Sequence, residues 1–83
     1  MFRTGRDPSA APSISDTDLR GKVESLERDG WELSWFRVMD EGNPYQRKTL
    51  GWGLIARKGD REVSESSPFW GVQIDWVYSQ CQQ

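Results

Sequence analysis

The spacing of apolar residues changes at Gly30. Before it, Leu19, Val23 and Leu26 stand at i, i+4 and i+7, one stripe of a helix. After it, Trp31, Leu33 and Trp35 alternate with Glu32, Ser34 and Phe36, the period of a strand. Gly30 falls where a helix wants a left-handed residue, and glycine has no Cβ to clash there. With Asp29 as C-cap, Trp31 and Leu26 take the two positions that touch in a Schellman cap. The spacing predicts a helix over Ser15–Asp29. Ser15 is its expected N-cap, Asp16 and Asp18 favour the positive end of its dipole, and Ile14 staples onto Leu19. Gly21 inside the helix costs about 1 kcal/mol against alanine.

Two further runs alternate or nearly so. Trp31–Met39 and Lys48–Lys58 read as strands of an antiparallel hairpin, joined by a turn over Asp40–Arg47 that Gly42, Asn43 and Pro44 punctuate. Gly51 and Gly53 flank Trp52 and leave the opposite face bare, ready for another backbone or a ring to pack there. Gly59–Pro68 is polar, with Val63 its only branched apolar residue, and reads as a long loop. Phe69–Ser79 reads two ways. A helix would start at Ser67 and Pro68 and bury Trp70, Ile74, Val77 and Cys81, but would leave Phe69, Val72 and Trp76 in water. A strand would put Trp70, Val72, Ile74, Trp76 and Tyr78 on one face, and the β-branched and aromatic density favours it. Residues 1–13 hold little to bury and read as a flexible arm; residues 14–83 read as one small domain. The expected fold is α+β: one N-terminal helix packed on a three-stranded antiparallel sheet, in the order α-β-β-β.

Composition sharpens this picture through tryptophan, with five in 83 residues. In the expected sheet all five lie on the more apolar face of their strand. The thin helical stripe cannot cover them, and the opposite face keeps Phe36, Val38, Ile55, Phe69 and Val77. Large apolar patches on a monomer mark places of interaction. Something else is expected to cover part of the sheet: a second copy, a partner protein, the arm or a ligand. Trp31 and Trp52, central and near the helix cap, are the expected core residues.

Candidate chemistry is sparse. A single cysteine, Cys81, excludes an internal disulfide, and the absence of histidine removes the commonest general base and metal ligand. Neither Asp40 with Glu41 nor Glu62 with Glu65 has a setting that suggests acid–base work. Asp75 is expected to pair with Arg37 or Arg57 across the sheet. Gly51-Trp52-Gly53 lacks the spacing of a phosphate loop. No catalytic residue, cofactor or metal is expected, and the chain does not read as an enzyme. A net charge of −2 speaks against a dedicated nucleic-acid binder. No apolar run approaches the roughly 20 residues of a membrane span, no signal-peptide pattern is seen, and a cytoplasmic location is expected.

The helix-to-strand element, Leu26 with Gly30-Trp31-Glu32-Leu33 and Leu50–Lys58 as second strand, resembles a family of very small bacterial and phage domains of unknown function. The likeness covers residues 19–58. Those domains begin with a strand before the helix, where this sequence reads as an arm. The resemblance implies a fold and no activity.

The expected function is therefore non-catalytic binding, of adaptor or inhibitor type. The Trp-rich sheet face would dock a protein partner or a second copy through Trp35, Trp70, Trp76 and Tyr78, with Arg37 and Arg57 as rim charges on the other face. One alternative is single-stranded nucleic acid, stacked on Trp and Tyr and held by Arg37, Arg47, Lys48, Arg57, Lys58 and Arg61. A second is an aromatic-lined pocket for a small ligand.

Overall fold

At Gly30 the backbone turns left-handed, with φ 94°. The Trp31 N–H donates to the Leu26 carbonyl at 3.0 Å and the Gly30 N–H to the Glu27 carbonyl at 3.1 Å, the two bonds of a Schellman cap. This computed structural model describes residues 4–40, 42, 45 and 48–83. The helix the cap closes, α1 (Thr17–Arg28), starts one residue later than expected. Asp16 is the N-cap: its Oδ1 accepts from the N–H groups of Asp18 and Leu19 at 2.9 and 3.1 Å. A carboxylate is a stronger acceptor than the Ser15 hydroxyl and gains from the helix dipole.

The expected three-stranded sheet with one helix is wrong: the described residues form four strands and two helices. Strands β1 (Thr4–Ser9), β2 (Glu32–Asp40), β3 (Thr49–Lys58) and β4 (Arg61–Ser67) make one sheet in the order β1-β2-β3-β4, each antiparallel to its neighbour. A second helix, α2 (Val72–Cys81), closes the chain. The β2–β3 hairpin stands where expected; its connecting turn lies largely outside the described residues, although the Gly42 N–H donates to Asp40 Oδ1.

Three assignments change, each for a physical reason. Thr4–Ser9, expected to be part of a flexible arm, is a strand. It has almost no apolar side chain to announce itself, but it pairs along β2 from Asp40 to Trp35. The expected loop over Gly59–Pro68 is mostly β4. Gly59, at φ 58°, and Asp60 form a two-residue turn between the paired Lys58 and Arg61. β4 is an edge strand on which Val63 alone needs the core, so its polarity hid it. Phe69–Ser79 is no strand. With β4 already pairing β3, the following chain crosses back over the sheet as a helix, burying Ile74, Val77 and Cys81 at i, i+3 and i+7. β-propensity lost to the need to cover the sheet. Val72 and Trp76 are left in water, as the helical alternative required.

Both helices lie on one face of the sheet. The core there joins Val23 and Leu26 of α1, Trp31, Leu54 and Ala56 of β3, and Ile74, Val77 and Cys81 of α2. On the other face Phe36 is buried without a helix above it. Its ring lies flat on Gly53, where an added Cβ would come within 2.0 Å of it. The Arg6 guanidinium lies 4.8 Å above the ring centre. Gly51 meets backbone instead, with a Cβ there falling 2.6 Å from the Ser67 carbonyl oxygen. The two bare glycines thus receive a ring and a backbone.

Gly53→Ala will lower stability to chemical denaturation by about 1–3 kcal/mol, the cost of forcing a methyl group into a packed contact. Introduced on a Phe36→Ala background the same change will cost much less, because the ring it displaces is gone.

Candidate functional site

A groove of three indoles opens on the helix-bearing face. Alternation along β2 puts Trp35 and Arg37 on that face, and pairing with β3 sets Arg37 opposite Trp52. Trp70 enters from the β4–α2 connection and meets Trp52 edge to face, with centroids 6.1 Å apart and planes at 80°. Such a pair contributes about 0.5–1.5 kcal/mol beyond its burial. The connection from β1 to α1 passes alongside. Together Ser9, Ala10, Pro12 and Ser13 with Trp35, Arg37, Trp52 and Trp70 line a cavity of about 360 Å³. Trp35 and Trp52 are half-buried and Trp70 is 40% exposed, so the groove offers apolar ring surface to solvent.

Trp70 is held from behind. Gly71, at φ 96°, is the N-cap of α2, and a Cβ there would fall 2.8 Å from Leu19 Cδ1. The Gly71 N–H donates to the side-chain oxygen of the buried Gln73 at 2.8 Å. The close approach of α1 and this buried amide fix the turn that presents the indole.

Of the six expected contact residues, the groove gathers Trp35, Trp70 and Arg37. Arg37 shares the face of Trp35 instead of the opposite one, as its spacing of two from Trp35 already dictates. Trp76 is elsewhere, on the outer side of α2 beside β4. Tyr78 is half-buried against the core. Arg57 lies on the helix-free face, paired with Glu62 at 2.9 Å. Trp52 and the Ser9–Ser13 connection were missed. One was expected in the core and the other in an arm, though the parity of Trp52 with Arg37 could have found the first.

Asp75 does not reach Arg37 or Arg57. It faces α1, where the Lys22 Nζ donates to its Oδ1 at 2.6 Å and lies 3.1 Å from Asp18. The hydrogen bonds to Asp75 and, less, to Asp18 push the Lys22 pKa above its ordinary value, and partial desolvation offsets some of the rise. Burial pushes the Cys81 thiol up, with Arg61 pulling weakly the other way, so the thiolate a nucleophile needs is disfavoured. Among the described residues no cluster of three or more metal-ligating side chains forms. The cations expected to grip nucleic acid are dispersed: Lys58 and Arg61 lie over the Trp31 ring at 5.9 and 5.3 Å, while Arg57 holds Glu62 on the other face. Arg47 lies outside the described residues. No helix of the described residues is long and apolar enough to cross a membrane.

The chain matches no protein-family model, no curated protein and no solved structure. Its functional reading rests on geometry.

Lys22 supplies a direct check on the helix–helix clasp. Its folded pKa lies above the ordinary 10.5. The clasp's stabilisation is therefore complete below the unfolded pKa and disappears as pH rises through the folded one. Asp75→Asn will move the Lys22 titration, followed by NMR at its Cε, back toward 10.5 and will flatten the alkaline loss of stability. An unchanged Lys22 titration in that variant would show that the clasp is not formed in solution.

Proposed function

We propose that this protein is a non-catalytic binding module that docks a protein partner through the groove of Trp35, Trp52 and Trp70, with Arg37 at its rim. The observation that carries the reading is the convergence of three partly exposed indoles and a guanidinium on one concavity. Tryptophan and arginine are the side chains most enriched at the energetic centres of interfaces. A cavity of about 360 Å³ takes one bulky apolar or aromatic side chain. Arg37 then favours a carboxylate next to that anchor, since its planar fork matches a carboxylate in two bonds. The favoured partner is thus a segment with an apolar anchor followed or preceded by Asp or Glu.

The cavity size also supports a second reading, a small aromatic acid held by the same residues, because ligand pockets begin at about 300 Å³. A single-stranded nucleic acid is less well supported, since the cations of the hairpin face different ways and the net charge is −2.

Selection from a random peptide library with the immobilised chain tests the first reading. Enriched sequences will pair an aromatic or large apolar residue with an acidic neighbour, and their binding will be lost with Trp70→Ala and weakened with Arg37→Glu. Sequences that bind both variants as well as the parent would place recognition elsewhere. Quenching of tryptophan fluorescence by indole or phenyl carboxylic acids, without any peptide enrichment, would transfer the proposal to the small ligand.

A further inference from the structure

The sheet has two outer edges, and they differ. β1 carries Pro8, which has no N–H to offer a further strand. β4 contains no proline, and among the described residues no strand pairs with its outer side. Above that edge stands α2 with Val72 and Trp76, 48% and 43% exposed, one helical turn apart on its outer side. Trp76 reaches down to the edge. With Arg61, Glu62, Val63, Ser64 and Gln80 it lines a cavity of about 390 Å³, so the exposed indole and the open edge form one continuous surface.

The charges of β4 decide what fits there. Arg61, Val63 and Glu65 pair with Lys58, Ala56 and Leu54 of β3 and so share the helix-bearing face. A second copy of β4 laid antiparallel, with its Val63 opposite Val63, sets Arg61 of each chain against Glu65 of the other. Two opposite-charge cross-strand pairs then flank an apolar pair. Glu65 is half-buried and takes a hydrogen bond from the Ser66 N–H. The same two-fold axis brings the two Trp76 indoles together over the junction. Charged residues on an edge normally repel foreign strands; these are complementary to their own sequence in one register.

We infer that β4 and the outer side of α2 form a self-association surface, through which two copies of this chain pair edge to edge into an eight-stranded sheet. This surface is separate from the indole groove and does not depend on what the groove binds.

Sedimentation velocity of the full chain, from low micromolar to millimolar concentration, tests the inference. The expected result is a concentration-dependent monomer–dimer equilibrium. Glu65→Arg opposes two arginines twice and will weaken the dimer about tenfold or more. Adding Arg61→Glu to it restores opposite charges and will recover the dimer. Because Arg61 also lies over Trp31, circular dichroism of each variant accompanies the series, and Trp76→Ser serves as the variant outside the core, expected to abolish pairing with the fold intact. In the parent, the amides of Glu62 and Ser64 will gain protection from hydrogen exchange as concentration rises. A monomer at every concentration overturns the inference, as does dimerisation unaffected by both Glu65→Arg and Trp76→Ser.

Discussion

The hydrogen bond from the Trp31 N–H to the Leu26 carbonyl sets the direction in which β2 leaves α1. Leu26 is fully buried and Trp31 nearly so. The bond therefore joins a helix stop to the centre of the core. It also reaches the β3–β4 turn, which the Glu32–Arg57 pairing sets at the same end of the sheet, because Lys58 and Arg61, which bracket that turn, both place their cationic ends near the Trp31 ring. Each such contact contributes about 0.5–1 kcal/mol where partly exposed. A local cap and a distant hairpin thus hold the same indole. Gly30 is essential to the arrangement, since a side-chain-bearing residue at φ 94° would strain the turn.

What the sequence made legible follows from the same element. The helix, its cap and the β2–β3 hairpin announce themselves through strong periodicity and through glycines whose roles are local. The missing strands do not. β1 contains Gly5, Asp7 and Pro8, and it is a strand because β2 offers a ladder, not because its residues prefer one. β4 buries little beyond Val63 and Ser67 on its inner face, too weak a pattern to separate from a polar loop. α2 is the reverse case. Its composition is that of a strand, and only the positions of Ile74, Val77 and Cys81 betray a helix. Tertiary need overrode propensity at all three places. The groove was half legible: Trp35, Arg37 and Trp70 stood among the expected contacts, whereas Trp52, on a strand that could be read, was expected in the core, and Ser9–Ser13 in an arm.

The two faces of the sheet solve the burial problem differently. One carries both helices. The other has no helix and shields its large ring by laying Phe36 on Gly53 and covering it with Arg6. An arginine stem and guanidinium can roof an aromatic ring while staying hydrated. This arrangement lets a short chain dispense with a third layer, at the cost of one strand position, Gly53, that tolerates no side chain. It also leaves that face charged and polar, with Arg57 and Glu62 paired there, and it pushes the remaining tryptophan surface to the other side.

On that side the unspent apolar surface falls into two parts at opposite ends of β4. Near Ser67 the chain turns through Trp70 into the groove; near Arg61 it lies beneath Trp76. α2 spans the distance between them, and α1 is tied to it by Lys22, held between Asp18 and Asp75. A ligand that tightens Trp70 against Trp52 acts on Gly71, the residue that starts α2 and rests against Leu19. Its effect on the far end must pass through a helix whose inner side is held by the fully buried Ile74 and Val77. Close packing of that core therefore favours independence of the proposed groove and the proposed edge surface over signalling between them.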